Sequence, residues 1–245
     1  MYKRQRVRHV ITGGSALGPR AAAFWAGAGI DVLETYGLTE AVAAGVLGRP
    51  LPGGAVRIAD DGEVLLRGGH VFAGYWDAAA GGAVRREEWF ATGDLGALDA
   101  EGRLGLAGRK RTLIAGSGGG PAVAPEPLEE RVRAHPLVGQ CVVIGAGRPH
   151  LVALITLDEV GLARWQRMHD MEDVPVEELV HDAGLLAELR GVVDEAGASG
   201  VLIRRFGVLP GQFTVAGGHL TPTLRPRRDA IVRDFAAEIA ELYEG

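Results

Sequence analysis

Between residues 7 and 37 the apolar runs and glycines fall in an order that few topologies satisfy. "VRHVIT", residues 7–12, has the length and apolar character of a short buried strand. "GGSALGPRAAAFWAGAG" follows as a Gly-rich turn and an Ala-rich helix that stops at glycine. "IDVLETYG" is then a second strand, after which "YGLTE" reads as the turn that ends it. Two strands joined through a helix form a βαβ unit, whose strands lie parallel in one sheet.

From Gly48 to about residue 110 the texture changes to short alternating runs, "AVRIADDGEVLLRGG" and "GRLGLAGR", broken by Asp-Gly and Glu-Gly pairs that favour hairpins. A β-rich subdomain is expected over 48–110. The remainder, 111–245, reads as a compact α+β domain. "PLEERVRAHP" is helical, "GQCVVIGA" and "HLVALITLD" are strands, and two helices fall around 175–196 and 228–243. Between them lies the glycine-rich loop "AGSGGGPAVAP", which lets another molecule approach its backbone.

Charge excludes one class of partner. Lys and Arg total 26 against 31 Asp and Glu, a net −5, so no nucleic-acid footprint is present, and the clusters "RRFG" and "RPRRD" read as solvated surface. Cys141 is the single cysteine, so no internal disulfide forms; it sits in "CVVIGAG" as a buried strand residue, and a reducing cytoplasm is expected. No apolar run approaches the ~18 residues of a membrane span. The strand pattern begins within a few residues of Met1, and Tyr2 to Gln5 matches a reading frame of a common sequencing adapter. The chain is therefore expected to be a gene fragment whose upstream part is missing.

Single motifs are weak here. "GGSALGPR" opens a helix and offers amides to an anion, but it is neither Gly-x-Gly-x-x-Gly nor a Walker loop. "WFATGDLG" sets Asp94 in a turn, where a carboxylate can accept two hydrogen bonds from a diol. Their order is specific. "VITGGSALG", "YGLTE", "GRPLPG", "VFAGYW", "EWFATGDLG", "GRKRTLI", "VAPEPLEE" and "LTPTL" follow one another as in the C-terminal half of AMP-forming acyl-CoA synthetases, the adenylate-forming superfamily that includes firefly luciferase and nonribosomal adenylation domains. The tail, with "FTVAGGHLTPTL", most resembles the bacterial long-chain fatty acid type. The resemblance covers residues 7 to 240.

That resemblance implies roles. Residues 1–47 would be a remnant of the large AMP-binding domain with its parallel βαβ sheet, 48–110 a small β-barrel-like subdomain, and 111–245 a mobile α+β lid. Tyr36 would stack on adenine, Gly37 admit the nucleotide, Thr39 bond the α-phosphate, and Glu40 hold Mg²⁺. Asp94 would clamp the ribose and Arg109 touch ribose and phosphate, with Gly13, Gly14 and Ser15 along the adenine and acyl pocket. Arg111 would be the hinge, Arg225 the catalytic cation, and Gly118 and Gly119 would meet the pantetheine arm of CoA. Implied substrates are ATP, a fatty acid and CoA, with peripheral membrane association left open.

Three departures accompany the likeness. No phosphate loop of the form Thr-Ser-Gly-Thr-Thr-Gly-x-Pro-Lys-Gly occurs in the chain; only "AVAAGVL" separates Glu40 from "GRPLPG"; and Arg225 stands where the family has lysine, while "GGGPA" replaces "GGKN". The chain alone is accordingly expected to be inactive in adenylation. Two other readings stand beside the ligase: a homologue that only transfers acyl groups from acyl-AMP to CoA, and a non-catalytic nucleotide- or acyl-binding pseudoenzyme.

Overall fold

A computed structural model describes residues 7, 9–15, 17–46, 48–76, 85–86, 88–117, 122–197 and 201–244. The chain divides into two compact units, Met1–Arg111 and Thr112–Gly245.

The first unit opens with β1 (Val10–Gly13), α1 (Pro19–Gly27) and β2 (Val32–Leu38), the two strands parallel and in register from Val10↔Val32 to Gly13↔Thr35. Gly13 is required by that pairing: a Cβ there would lie 2.3 Å from Thr35 Oγ1. The sheet then turns antiparallel through β3 (Ala41–Val46) and β4 (Arg49–Pro50), giving the order β1-β2-β3-β4. Tyr36, Gly37 and Leu38 are strand residues, and only Thr39 and Glu40 form the turn, because Tyr36 pairs with Gly45 and Leu38 with Ala41. The small, apolar "AVAAGV" supplied a partner strand, and pairing carried β2 through "YGL".

The hairpin region forms a curled five-stranded antiparallel sheet. Its strands are β5 (Ala55–Ile58), β6 (Glu63–Arg67), β7 (Arg85–Arg86), β8 (Trp89–Leu98) and β9 (Leu104–Arg109). They run β5-β6-β8-β7, with β9 also on β8. Gly62 and Gly102 close two of its turns with φ of 80° and 72°, a region where a side chain is strained. Ala41, Ala44, Val64, Leu66 and Phe90 form the buried core, with Tyr36, Phe72 and Leu104 packed against it.

In the second unit the central sheet has the order β10 (Val138–Ile144), β11 (Leu151–Leu157), β12 (Ile203–Leu209). Both faces are covered. Cys141, Val143, Ala153 and Ile155 point into a core with α2 (Pro125–Arg133) and the helices of the β11–β12 crossover, whereas Val142, Val152 and Leu154 pack with the C-terminal helices. That two-sided burial explains why these strands read as continuous apolar runs rather than alternations. Cys141 is buried as expected, and burial holds its thiol far above the usual range.

Four features differ from the sequence expectations. Asp158 accepts from the Gly161 amide at 2.8 Å and starts an unanticipated helix, α3 (Glu159–Met168). The helix expected at 175–196 is two, α4 (Val176–Leu179) and α5 (Ala183–Ala196), since Asp182 accepts from the Gly184 and Leu185 amides and begins a new one. The C-terminal helix likewise divides into α6 (Arg228–Asp234) and α7 (Ala236–Glu244). Strand β12 was hidden by its two arginines, Arg204 and Arg205, although Ile203 and Leu209 are buried.

Candidate functional site

Parallel strands release their following loops at one edge of a sheet, the edge at which open α/β sheets bind ligands. Gly13–Ser15 leave β1 there, exposed, and Thr39 and Glu40 leave β2. The Gly-rich turn is itself braced: the Leu17 amide donates to Glu34 Oε1 at 2.7 Å, so a carboxylate of the chain already occupies one of the amides that could have met an anion.

The centre of the site is Asp94, and a bulge puts it there. On β6 and β8, Glu63 pairs with Leu95 but Leu65 with Ala91, so β8 carries extra residues across Thr92–Asp94. Gly93 takes φ 73° within it. The amides that leave the ladder are caught by side chains: Gly93 donates to Glu63 Oε1 at 2.8 Å, and Asp94 donates to Thr92 Oγ1 at 3.0 Å. Thr92 Oγ1 in turn donates to the Val64 carbonyl at 2.8 Å. Thus held, the buried Asp94 carboxylate accepts from the Tyr36 hydroxyl at 2.8 Å and pairs with Arg109 Nε at 3.0 Å. Arg109 is its cross-strand partner on β9. Burial first, then the charge of Asp94, pushes the Tyr36 phenol far above the usual tyrosine range, so at neutral pH it keeps the proton that it donates to Asp94.

Glu40 stands beside this cluster on the β2–β3 turn. Tyr75 donates to its Oε1 at 2.6 Å, which raises the Tyr75 phenol, and Phe72 lies edge-on to Tyr75 with ring centroids 4.9 Å apart. Among the described residues no group of three or more His, Cys, Asp or Glu side chains is arranged to hold a metal ion. One carboxylate with solvent access does suit a cation whose other ligands are phosphate oxygens and water.

Of the expected site residues, then, the first unit brings together Tyr36, Asp94 and Arg109, with Gly37, Thr39, Glu40 and Gly13–Ser15 at the same sheet edge. Arg111 lies in a short 3-10 turn at the division between units. Arg225 belongs to the second unit, exposed on a tight loop closed by the Thr221 amide to the Arg225 carbonyl, 2.8 Å, and the Arg225 amide to Thr221 Oγ1, 3.0 Å. Gly118 and Gly119 lie outside the described residues. Sequence reasoning missed Glu63, because the Asp-Gly before it reads only as a hairpin turn, and gave no role to Thr92 and Lys110, although both lie within quoted motifs. It also misread "RPRRD" as solvated surface: Arg228 makes a bidentate pair with the buried Glu129, at 2.7 and 3.1 Å.

Comparison with known proteins gives the same picture at family level. Residues 2–76 match the model described as AMP-binding enzyme, and residues 117–196 that of the AMP-binding enzyme C-terminal domain. The long-chain-fatty-acid–CoA ligase FadD15 of Mycobacterium tuberculosis is 40% identical over 252 residues, which cover 96% of this chain and 42% of the relative. The chain thus spans under half the length of the curated relatives it matches. Among solved structures, the adenylation domain of a carboxylate reductase from Mycobacterium chelonae superposes with a TM-score of 0.76 at 22% identity, over 96% of this chain and 38% of that one. The anthranilate CoA ligase AuaEII in complex with anthranoyl-AMP gives 0.71 at 23%, over 96% and 46%. At these identities the structural likeness speaks for the fold.

Proposed function

The chain belongs to the AMP-binding enzymes, and from that premise we propose that it is the C-terminal portion of an AMP-forming long-chain fatty acid–CoA ligase. The observation that carries the reading is the convergence of Tyr36, Asp94 and Arg109 from three separate strands, with Asp94 set by the bulge of β8. A buried carboxylate flanked by an aromatic ring and a guanidinium offers what an adenosine monophosphate group requires: an acceptor for a ribose diol, a face for a base, and a cation for a phosphate.

The chemistry follows from the electrophile. A carboxylate resists nucleophilic attack, because it is anionic and oxide is a poor leaving group. In the proposed reaction the fatty acid oxygen attacks the α-phosphorus of ATP and expels pyrophosphate; the CoA thiol then attacks the acyl carbon, loses its proton and expels AMP. Within this chain, Tyr36, Asp94 and Arg109 would orient the nucleotide, and Thr39 would donate to its α-phosphate. Glu40 would hold Mg²⁺, which when bound neutralises phosphate charge. The second unit, Thr112–Gly245, would by the family resemblance be a lid that brings Arg225 to the site in one arrangement and the segment of Gly118 and Gly119 in another. Tyr75 would have to share Glu40 with the cation or release it.

Calorimetric titration of the 245-residue chain with AMP tests the reading. Binding is expected, weakened about tenfold by Asp94→Asn, which keeps the shape but loses the charged acceptor. Equal affinity in the two proteins overturns the assignment of Asp94.

A further inference from the structure

Glu63 is one of four buried polar residues among those described, and nothing in the reading above uses it. Burying a carboxylate is costly unless it is paired and hydrogen-bonded, so its partners matter. One oxygen accepts from the Gly93 amide at 2.8 Å. The other lies 2.9 Å from Lys110 Nζ, which also reaches Asp61 Oδ2 at 2.8 Å. These two partners are the chain neighbours of Asp94 and Arg109. Gly93 precedes Asp94 on the bulge of β8; Lys110 follows Arg109 at the end of β9. The carboxylate therefore ties together, from behind, the two backbone segments whose side chains meet in front at 3.0 Å.

We propose that Glu63 is a positioning residue for the diol clamp: by holding the Gly93 amide and the Lys110 ammonium at once, it sets the separation and direction of Asp94 and Arg109. The inference rests on the reading of Asp94 as a ribose acceptor. Two features of the geometry favour it over simple support of the sheet. The bulge leaves the Gly93 amide without a partner on β6, so although Asp94 is paired with Arg109 on β9, pairing with β6 does not fix the backbone that leads into Asp94. Lys110 is also the last residue before Arg111, so the same carboxylate anchors the chain at the point where the first unit ends. The two acidic groups raise the Lys110 ammonium above its usual value, Asp61 foremost, which keeps the tie charged through the physiological range.

A positioning role separates from a structural one by ligand. The probes are AMP and 2′,3′-dideoxy-AMP, which lacks the diol, each titrated calorimetrically into the full 245-residue chain. Wild-type protein is expected to prefer AMP. Glu63→Ala should cost about tenfold in AMP affinity, the effect of roughly one displaced charge-assisted hydrogen bond, and leave dideoxy-AMP binding unchanged. Glu63→Gln, which keeps an acceptor for Gly93 but loses the ion pair with Lys110, should fall between and serves where Glu63→Ala does not fold. Equal weakening of both ligands, or no weakening of either, overturns the positioning role while leaving the nucleotide reading intact. A wild-type chain that does not distinguish the two ligands overturns the ribose reading, and this inference with it.

Discussion

The hydroxyl of Tyr36 donates to Asp94 Oδ2 across 2.8 Å, although 58 residues separate the two in the chain. Tyr36 is fixed by β2 pairing and packs on the core of Ala41, Val64 and Phe90; Asp94 is fixed by the β8 bulge. Each is set independently, so the pair is a property of the fold rather than of either loop.

A pH dependence follows from this pair. The folded Tyr36 phenol keeps its proton far above pH 10, whereas in the unfolded chain it is lost near pH 10. Below pH 10 both states are protonated and the contribution is whole; above it the unfolded state binds fewer protons, so stability falls as pH rises. The urea midpoint should therefore drop between pH 9 and pH 11 by more in the wild type than in Tyr36→Phe. Parallel declines would show that the phenol is not held by Asp94.

The buried pair between Glu129 and Arg228 should dominate the stability of the second unit. Removing one partner strands the other in the core, at a cost of about 3–5 kcal/mol. Arg228→Met is expected to lose that much in urea unfolding. Glu129→Gln combined with it should recover part, since a neutral amide is cheaper to bury and can still accept from Val143. A loss under about 1 kcal/mol for Arg228→Met would mean that the pair is solvated in solution.

Arg225 carries charge on a planar fork where the family resemblance expects a compact ammonium, and the two are not equivalent in a tight site. In a hybrid joined in frame to the upstream portion of FadD15, Arg225→Lys should raise fatty-acid-dependent pyrophosphate release by about 100-fold, the scale of one positioned transition-state cation. Transfer to CoA from supplied acyl-AMP should hardly change. An unaltered pyrophosphate rate sinks the assignment of this position.

The second unit has a core of its own on both faces of its sheet. Residues 112–245, expressed alone, are expected to fold and to unfold in one cooperative step by circular dichroism. A chain that stays unfolded would show that its core depends on the first 111 residues.

Much of this was legible in the sequence, for identifiable reasons. The βαβ opening, the hairpins and strands β10 and β11 follow from period, glycine placement and apolar runs. Asp94 and Arg109 were visible through their motifs, but their mutual contact was not: it depends on a bulge, and the period of β8 gives no sign of one until β6 is laid beside it. Glu63 was hidden for a related reason, since a carboxylate after Asp-Gly looks like any polar hairpin residue until a missing ladder bond gives it a donor. Arg204, Arg205 and Arg228 show the limit of reading charge locally. Two of them ride on a strand whose ends are buried, and the third finds its acid 99 residues away.

The Glu129–Arg228 pair also governs what the protein shows to other molecules. Strand β10 is the outer strand of its sheet, and an unpaired outer strand is a template on which a second chain can add itself. At Val143 that template is closed: Glu129 takes the amide at 2.7 Å and Arg228 takes the carbonyl at 2.6 Å, as a neighbouring strand would. The same two side chains that brace the start of α6 thereby occupy the outer edge of β10 at Val143, where a second chain would otherwise find a free amide and carbonyl.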